Sequence, residues 1–258
     1  YQPAAVMHFA ALSQVGEAMS APGSYWANNT GGSLNLIEAA VAAGCLDFVF
    51  SSTCATYGEH DNVVLDENTP QLPLNAYGAS KRAVEDILKD FGAAYGLRSV
   101  IFRYFNVAGA DPEAEVGEFH RPETHLVPLV LDAIAGKRDA LTIFGTDYDT
   151  PDGTCIRDYV HVCDLADAHV LGLKWLEDGK SSQVFNLGTG SGFSVREVMD
   201  KAEDVTSRKV PCSTGPRRAG DCTKLVSGST RAVADLGWEP RRSTLVVMIA
   251  DAWEWHKT

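Results

Sequence analysis

The segment Phe48-Val49-Phe50-Ser51-Ser52-Thr53 combines a short apolar run with three consecutive hydroxyl side chains. Such a run is typical of a strand buried on both faces, as in a parallel sheet covered by helices. In open α/β sheets, ligands bind beyond the carboxyl ends of the strands, which is where these hydroxyls stand. The segment therefore predicts a buried strand and indicates one edge of a binding site, although a capping turn would also use such hydroxyls.

Strand-like and helix-period stretches alternate on both sides of this segment, which predicts an α/β fold with a parallel sheet. The predicted strands are 5–10, 48–52, 99–107 and 184–187, and the predicted helices are 28–43 and 78–95. Within the second helix, Glu85 is one of the charged residues assigned to the outward face. Ser194 and Glu197 have the spacing of a capping box at the start of a further helix.

The regular alternation ends after Ala108. Segments 110–160 and 208–258 are richer in Gly, Pro, Asp and Arg and show no steady alternation. We therefore predict two units. The first comprises 1–109 and 160–190, and the second, a smaller mixed α/β lobe, comprises 110–159 and 191–258.

Composition narrows the classes of partner. The formal net charge of −12 disfavours binding to nucleic acid, because a polyanion repels an acidic surface. No apolar run has the roughly 18–20 residues needed to span a bilayer. The six cysteines are scattered without a Cys-x-x-Cys or Cys/His cluster, so we predict free thiols in the cytoplasm and no metal site.

The segment Tyr77-Gly78-Ala79-Ser80-Lys81 follows the hydroxyl cluster along the chain. Residues four apart on a helix share a face, so the Lys81 ammonium is expected near the Tyr77 phenol. A nearby positive charge favours the ionised phenol and should lower the pKa of Tyr77, which would make it a proton acceptor. Such a pair is frequent by chance, and its meaning depends on the surrounding motifs.

Several separated motifs share their order with a known family. They are His8–Ala11, Phe50–Gly58, Arg103–Gly109, Ile143–Tyr148, Asp152–Val162, Asn186–Gly190 and Arg217–Asp221. With Thr53 before the Tyr77/Lys81 pair, the chain resembles the extended short-chain dehydrogenase/reductase family, and within it the UDP-glucose 4-epimerases. The resemblance runs from about Val6 to the C-terminus and implies a Rossmann-like parallel sheet with a smaller substrate lobe.

The resemblance implies roles for thirteen residues. Tyr77, Lys81 and Thr53 would be catalytic. The cofactor NAD would contact Asn28, Ser51, Tyr77, Lys81 and Tyr104. The UDP-sugar would contact Thr53, Asn106, Leu126, Thr142, Phe144, Arg157, Arg218 and Asp221. Two of these also have a chemical reason, because the guanidinium groups of Arg157 and Arg218 can pair with phosphate oxygens.

The implied reaction is reversible 4-epimerisation of UDP-glucose and UDP-galactose through a transient 4-keto sugar. A nucleotide-sugar dehydratase would need an Asp-Glu pair after Thr53, where this chain has Cys54-Ala55. Epimerisation of UDP-N-acetylhexosamines or UDP-pentoses stays open, because Leu225 is intermediate in size at a position that tunes N-acetyl acceptance. An inactive UDP-binding fragment is a further alternative. Relatives form homodimers through helices that match 28–43 and 78–95.

The Gly-rich turn that opens a dinucleotide-binding half does not precede Val6. At about 30 residues per βαβ unit, we expect about 60–80 residues of such units to be missing. If this chain is the whole molecule, we expect it to bind NAD weakly or not at all. Gly188-Thr189-Gly190-Ser191-Gly192 has the wrong spacing to replace that turn. Ser13 stands where well-known relatives have a lysine that contacts NAD.

Overall fold

The computed structural model describes residues 2–60, 64–218 and 220–258. Its helices are α1 (Val15–Ser20), α2 (Pro22–Tyr25), α3 (Gly32–Ala42), α4 (Ala76–Tyr95), α5 (Leu126–Ile134), α6 (Val162–Glu177), α7 (Val195–Thr206) and α8 (Leu245–His256). Its strands are β1 (Val6–His8), β2 (Asp47–Ser51), β3 (Arg98–Tyr104), β4 (Asn106–Ala108), β5 (Leu141–Phe144), β6 (Ile156–His161), β7 (Gln183–Leu187), β8 (Gly192–Ser194), β9 (Cys212–Gly215) and β10 (Lys224–Leu225).

The first sheet has the order β1-β2-β3-β7, and every neighbouring pair is parallel. Alternate residues of its strands face opposite helices, as the side-chain period of two requires. Phe48 and Phe50 are fully buried in a core with Ile37 of α3 and Val84 of α4. Val49 is buried on the other face, in a separate core that includes residues of α6. Burial of each phenylalanine contributes about 2 kcal/mol. The parallel pairing of β2 with both neighbours and its burial on both faces confirm the predicted buried parallel sheet.

Helix α6 lies close to the sheet at Gly172, where an ideal Cβ would come within 2.7 Å of Phe102 Cζ. A larger residue would therefore push α6 away from β3. The long helix α4 begins at Asn75, whose side chain accepts a hydrogen bond from the N–H of Gly78. It ends at Gly96 in the left-handed conformation with φ of 73°, a common C-terminal cap.

The predicted strand 99–107 is interrupted at Phe105. Tyr104 is the last residue paired with β7, at Leu187, and Asn106 already pairs with Tyr159 of β6. The chain thus leaves the first sheet and enters a second one, in which β4 and β10 flank β6 and β8 pairs antiparallel to β6. Strands β5 and β9 form a further parallel pair.

Helices α5, α7 and α8 cover the second part of the molecule around a separate apolar core that includes Val130, Met248 and Ile249. The predicted capping box is present, with Ser194 and Glu197 satisfying each other's backbone N–H groups. The predicted helix 28–43 begins earlier, with a π-helical segment Trp26–Gly31 that runs into α3. The division into two units at the proposed residue boundaries stays a prediction.

Within the described residues, none of the helices combines the length and the apolar character needed to cross a membrane. The six cysteines are free.

Candidate active site

A cleft of about 890 Å³ opens beyond the carboxyl ends of β2 and β3 and reaches the second sheet. Nine of the thirteen predicted site residues line it: Ser51, Thr53, Tyr77, Lys81, Tyr104, Asn106, Arg157, Arg218 and Asp221. Their positions in the chain span 171 residue numbers, from 51 to 221. The fold therefore gathers most of the predicted set into one cavity.

The start of α4 is pressed against the turn that follows β2. An ideal Cβ at Gly78 would lie 2.3 Å from the backbone oxygen of Ala55, so only glycine permits this approach. Thr53 caps the short 3₁₀ turn Cys54–Thr56 by accepting the N–H of Ala55. This contact between helix and turn places Tyr77 and Thr53 in the lining of the same cleft.

The expected lowering of the Tyr77 pKa is wrong for this structure. Burial of the phenol raises its pKa, and the hydrogen bond with Thr53 opposes that shift without reversing it. The neighbouring phenols of Tyr104 and Tyr25 raise the pKa of Tyr77 further. The phenol is therefore protonated at neutral pH in the free cleft, because a low-dielectric site disfavours the charged form.

Lys81 lies one turn along α4 and is 4% exposed. Its Nζ donates to the backbone oxygen of Ser51 at 2.8 Å and stands 4.8 Å above the centroid of the Phe50 ring. Burial lowers the pKa of Lys81 to about 8, and the carboxylate of Glu85 opposes that shift. The ammonium is thus still mainly charged at pH 7.

The Ser51 hydroxyl is oriented by a residue that the sequence did not identify. Its Oγ lies 2.8 Å from Nε2 of His169, and Nδ1 of the same ring lies 2.8 Å from the backbone oxygen of Leu165. With the proton on Nδ1, which donates to the Leu165 oxygen, Nε2 accepts a hydrogen bond from the Ser51 hydroxyl. The Ser51 oxygen then keeps acceptor capacity toward the cleft, which Tyr104 also lines. No local pattern links Ser51 to His169, which are 118 residues apart.

Glu85 is buried, and its assignment to the outward face of α4 is wrong. It is 6% exposed and forms an ion pair with Arg103 of β3. It also accepts a hydrogen bond from the hydroxyl of Ser52. Arg103 also donates to the hydroxyl of Tyr57 at 2.9 Å. This network joins α4 to the carboxyl ends of β2 and β3. A helical pattern treats every acidic residue as outward, which is why the sequence missed it.

The cleft is also lined by two arginines, Arg157 and Arg218. Arg157, on β6, donates to the backbone oxygen of Ile156 at 2.9 Å. Arg218 donates to Asp221 at 2.9 Å, and its guanidinium carbon lies 5.1 Å from the centroid of the Phe144 ring. Two guanidinium groups around one cavity suit a ligand with phosphate oxygens, which they contact through charge-assisted hydrogen bonds.

Four predicted residues do not line the cleft. Asn28 is exposed in the π-helical segment and donates to Asn29. Leu126 begins α5 and packs against the core of that part of the molecule. Thr142 and Phe144 lie on β5; the Thr142 hydroxyl is 3.4 Å from that of Ser213, and Phe144 lies beneath Arg218. Their predicted ligand contacts stay predictions.

The chain matches known proteins closely over nearly its whole length. Residues 1–188 fit the sequence profile of the NAD dependent epimerase/dehydratase family. The chain belongs to this family. It is 51% identical over 256 residues to UDP-glucose 4-epimerase of Rhizobium meliloti (strain 1021), covering 99% of this chain and 78% of that relative. The predicted family is therefore confirmed.

Solved structures of the family share the fold. UDP-glucose 4-epimerase from Brucella ovis in complex with NAD has a TM-score of 0.95 at 45% identity, covering 98% of this chain and 78% of that one. UDP-glucose-4-epimerase from Stenotrophomonas maltophila, with bound NAD and formylated UDP-arabinopyranose, has a TM-score of 0.93 at 39% identity, covering 98% and 76%. The predicted Rossmann-like α/β fold is confirmed.

Proposed function

We propose that this protein interconverts UDP-glucose and UDP-galactose by epimerisation at C4, with NAD as a cofactor that is regenerated in each turnover. One observation carries the proposal: a single cleft is lined both by Tyr77, Thr53 and Lys81 and by Arg157 and Arg218. A proton-transfer group and phosphate-binding groups in one cleft match the two halves of a nucleotide sugar. Family membership and the relatives that bind NAD support the same reaction.

The residues of the cleft fit the ribose and nicotinamide end of NAD. Lys81 has three N–H donors, and Ser51 provides the acceptor recorded for them within the described residues. A buried ammonium with unused donors suits ribose hydroxyls. Ser51 and Tyr104 add hydroxyls to the same wall. Asn28 is proposed to contact the cofactor from the exposed π-helical segment.

Bound NAD supplies a hydride acceptor that later returns the hydride. Tyr77 is proposed to take the proton of the sugar 4-hydroxyl as the C4 hydrogen leaves as hydride, which gives a 4-keto sugar. Thr53 holds the 4-oxygen while the sugar turns, and the proton then returns from Tyr77 to that oxygen. Because burial raises the pKa of Tyr77, the ionised phenol needs a nearby positive charge. Lys81, one turn along the same helix, is proposed to supply that charge during the reaction.

The nucleotide has to stay bound while the sugar turns. Arg157 and Arg218 are proposed to hold the diphosphate, Asn106 to contact the sugar or diphosphate, and Asp221 the ribose hydroxyls. The uracil and its ribose are assigned to Leu126, Thr142 and Phe144. Anchoring at the distal end leaves the sugar ring free to present either face to the hydride.

A second candidate is 4-epimerisation of UDP-pentoses or UDP-N-acetylhexosamines. The Stenotrophomonas relative holds a UDP-arabinopyranose derivative, which favours a pentose as a further substrate. Leu225 lines the cleft and is the residue proposed to limit an N-acetyl group.

We also propose a cytoplasmic homodimer that pairs through α3 and α4, where Tyr95 is 57% exposed.

The test is turnover of UDP-galactose by the purified protein with added NAD, alongside a titration with UDP. We expect Tyr77→Phe to lower kcat at least about a hundredfold, because general acid–base groups contribute about 10²–10⁴-fold. UDP affinity should be unchanged in that variant. UDP binding without turnover in the parent would identify a binding fragment, and near-normal turnover by Tyr77→Phe would exclude the proposed role of Tyr77.

A further inference from the structure

We propose that Glu118, His120, Glu123 and His125 form a binding site for one divalent transition-metal cation, and that Zn²⁺ suits it best. The four residues lie in one loop between β4 and α5, and Glu118 and His125 line the cleft. None of the four residues is among those assigned above to proton transfer or to phosphate binding. It does not depend on the proposed epimerase reaction.

The donor atoms are already close to one another. One ligand atom from each residue lies within 4.8 Å of those of the other three. His125 Nδ1 is hydrogen-bonded to Glu118 Oε1 and lies 3.7 Å from Glu123 Oε1, and His120 Nδ1 lies 3.8 Å from that same oxygen. A tetrahedral Zn²⁺ with bonds of about 2.0–2.1 Å separates its ligands by roughly 3.3 Å. Small side-chain rotations would reach that geometry.

The charge of the cluster favours a cation. Within the described part of the chain, the ion pairs recorded for the carboxylates of Glu118 and Glu123 are with imidazoles, and none is with a lysine or arginine. Two neighbouring carboxylates repel each other unless a positive charge lies between them. Two carboxylates with two neutral imidazoles would neutralise a divalent ion.

The loop is held in place before any ion binds. Trp255 of α8 donates from Nε1 to the backbone oxygen of Glu118 at 3.0 Å, and Gly117 lies against the same indole, where an ideal Cβ would be 2.2 Å from Cγ. Glu123 Oε1 accepts the N–H of His125 at 2.8 Å. The two imidazole rings are stacked with centroids 5.3 Å apart and planes at 14°. Donors fixed in this way lose little freedom on binding.

The donor types select the class of metal. Imidazole with carboxylate suits Zn²⁺ and its transition-metal neighbours, whereas Mg²⁺ and Ca²⁺ prefer sites made of oxygen ligands. The sequence prediction of no metal site considered only cysteine patterns and Cys/His clusters. Two histidines five residues apart, each near a glutamate, are the signal that it passed over.

The experiment is a calorimetric titration of the chelator-treated, purified protein with ZnCl₂, together with the visible spectrum of bound Co²⁺. We expect one ion per chain and the intense Co²⁺ absorption of a tetrahedral site. His120→Ala, His125→Ala, Glu118→Gln and Glu123→Gln should each weaken Zn²⁺ binding at least about tenfold, because loss of even an outer-shell partner costs about 10–100-fold. The glutamine variants keep the shape of the loop and so separate ligation from folding.

The controls are His60→Ala and Cys212→Ser, which remove a histidine outside the cluster and an exposed free thiol. Both should bind Zn²⁺ as the parent does. The proposal is overturned if the parent shows no saturable binding, if the cluster variants bind normally, or if a control variant is the one that loses the ion. Tighter binding of MgCl₂ than of ZnCl₂ would overturn the assignment to a transition metal.

Discussion

Lys81 carries its charge inside the protein, next to Glu85 on its own helix and His8 of β1. Burial lowers its pKa from 10.5 to about 8, so the folded state disfavours the ammonium. The unfolded chain then binds more protons between pH 8 and 10.5, and stability should rise with pH across that window. Below pH 8 the cost of the buried charge is fully present.

In the parent, Lys81 should raise the free energy of unfolding by about 2–3 kcal/mol between pH 7 and pH 10. We expect this rise to be absent in Lys81→Met, which has no group that titrates at this position. Denaturant unfolding at a series of pH values measures it. Lys89→Met is the matched control, because Lys89 is exposed on the same helix and should leave the pH dependence unchanged. Parallel stability curves for the parent and Lys81→Met would contradict the prediction.

Glu85 gives a second prediction for a single residue. Glu85→Gln should lower the free energy of unfolding by about 3–5 kcal/mol, because it leaves the Arg103 guanidinium buried without its partner. Asp86→Asn changes the next residue, which is exposed, and should stay within about 0.5 kcal/mol of the parent. Urea unfolding of the parent and the two variants measures these free energies. Equal losses of unfolding free energy in both variants would argue against a special role for the buried pair of Glu85 and Arg103.

At the scale of elements, the contact of α4 with the turn after β2 sets the distance between Tyr77 and Thr53. Gly78→Ala places a methyl group 2.3 Å from the Ala55 oxygen, so the helix start has to shift. A misplacement of about 1 Å can cost a hundredfold in rate, and we expect kcat to fall by about 10–100-fold with UDP affinity retained.

Gly23→Ala in α2 is the control for this substitution, because an ideal Cβ there meets nothing within 4 Å. Steady-state turnover of UDP-galactose compares the two variants. Unchanged kcat in Gly78→Ala would mean that the approach of α4 to the turn does not position the site.

The elements differ in how far the sequence predicts them. The strand at Phe48 and the helix carrying Tyr77 follow from apolar runs and end signals that are local. The interruption at Phe105 does not, because apolar character continues from β3 into β4 and only pairing with different partners separates them. Glu85 and His169 were missed for the same reason: their partners, Arg103 and Ser51, come from distant parts of the chain.

At the scale of the whole molecule, we expect affinity for UDP and the rate of turnover to depend on residues from different parts of the chain. Arg218→Leu should weaken UDP binding about tenfold or more, because a hydrogen bond to a charged group contributes about 1.5–3 kcal/mol. Its effect should appear mainly in KM. Arg217→Leu is the neighbouring control, since Arg217 pairs with Asp147 and is not part of the cleft lining. Isothermal titration with UDP measures the affinity of both variants. An equal loss of UDP affinity in the two would mean that only the net positive charge matters, and not a contact made by Arg218.

The crossing at Phe105 has a consequence for motion. Because β3 and β4 are consecutive, a single residue joins the sheet beneath Tyr77 to the sheet that carries Arg157. A connection this short leaves little slack for one wall of the cleft to swing away from the other. We therefore expect ligand exchange to rely on surface loops and not on a hinge between the two sheets.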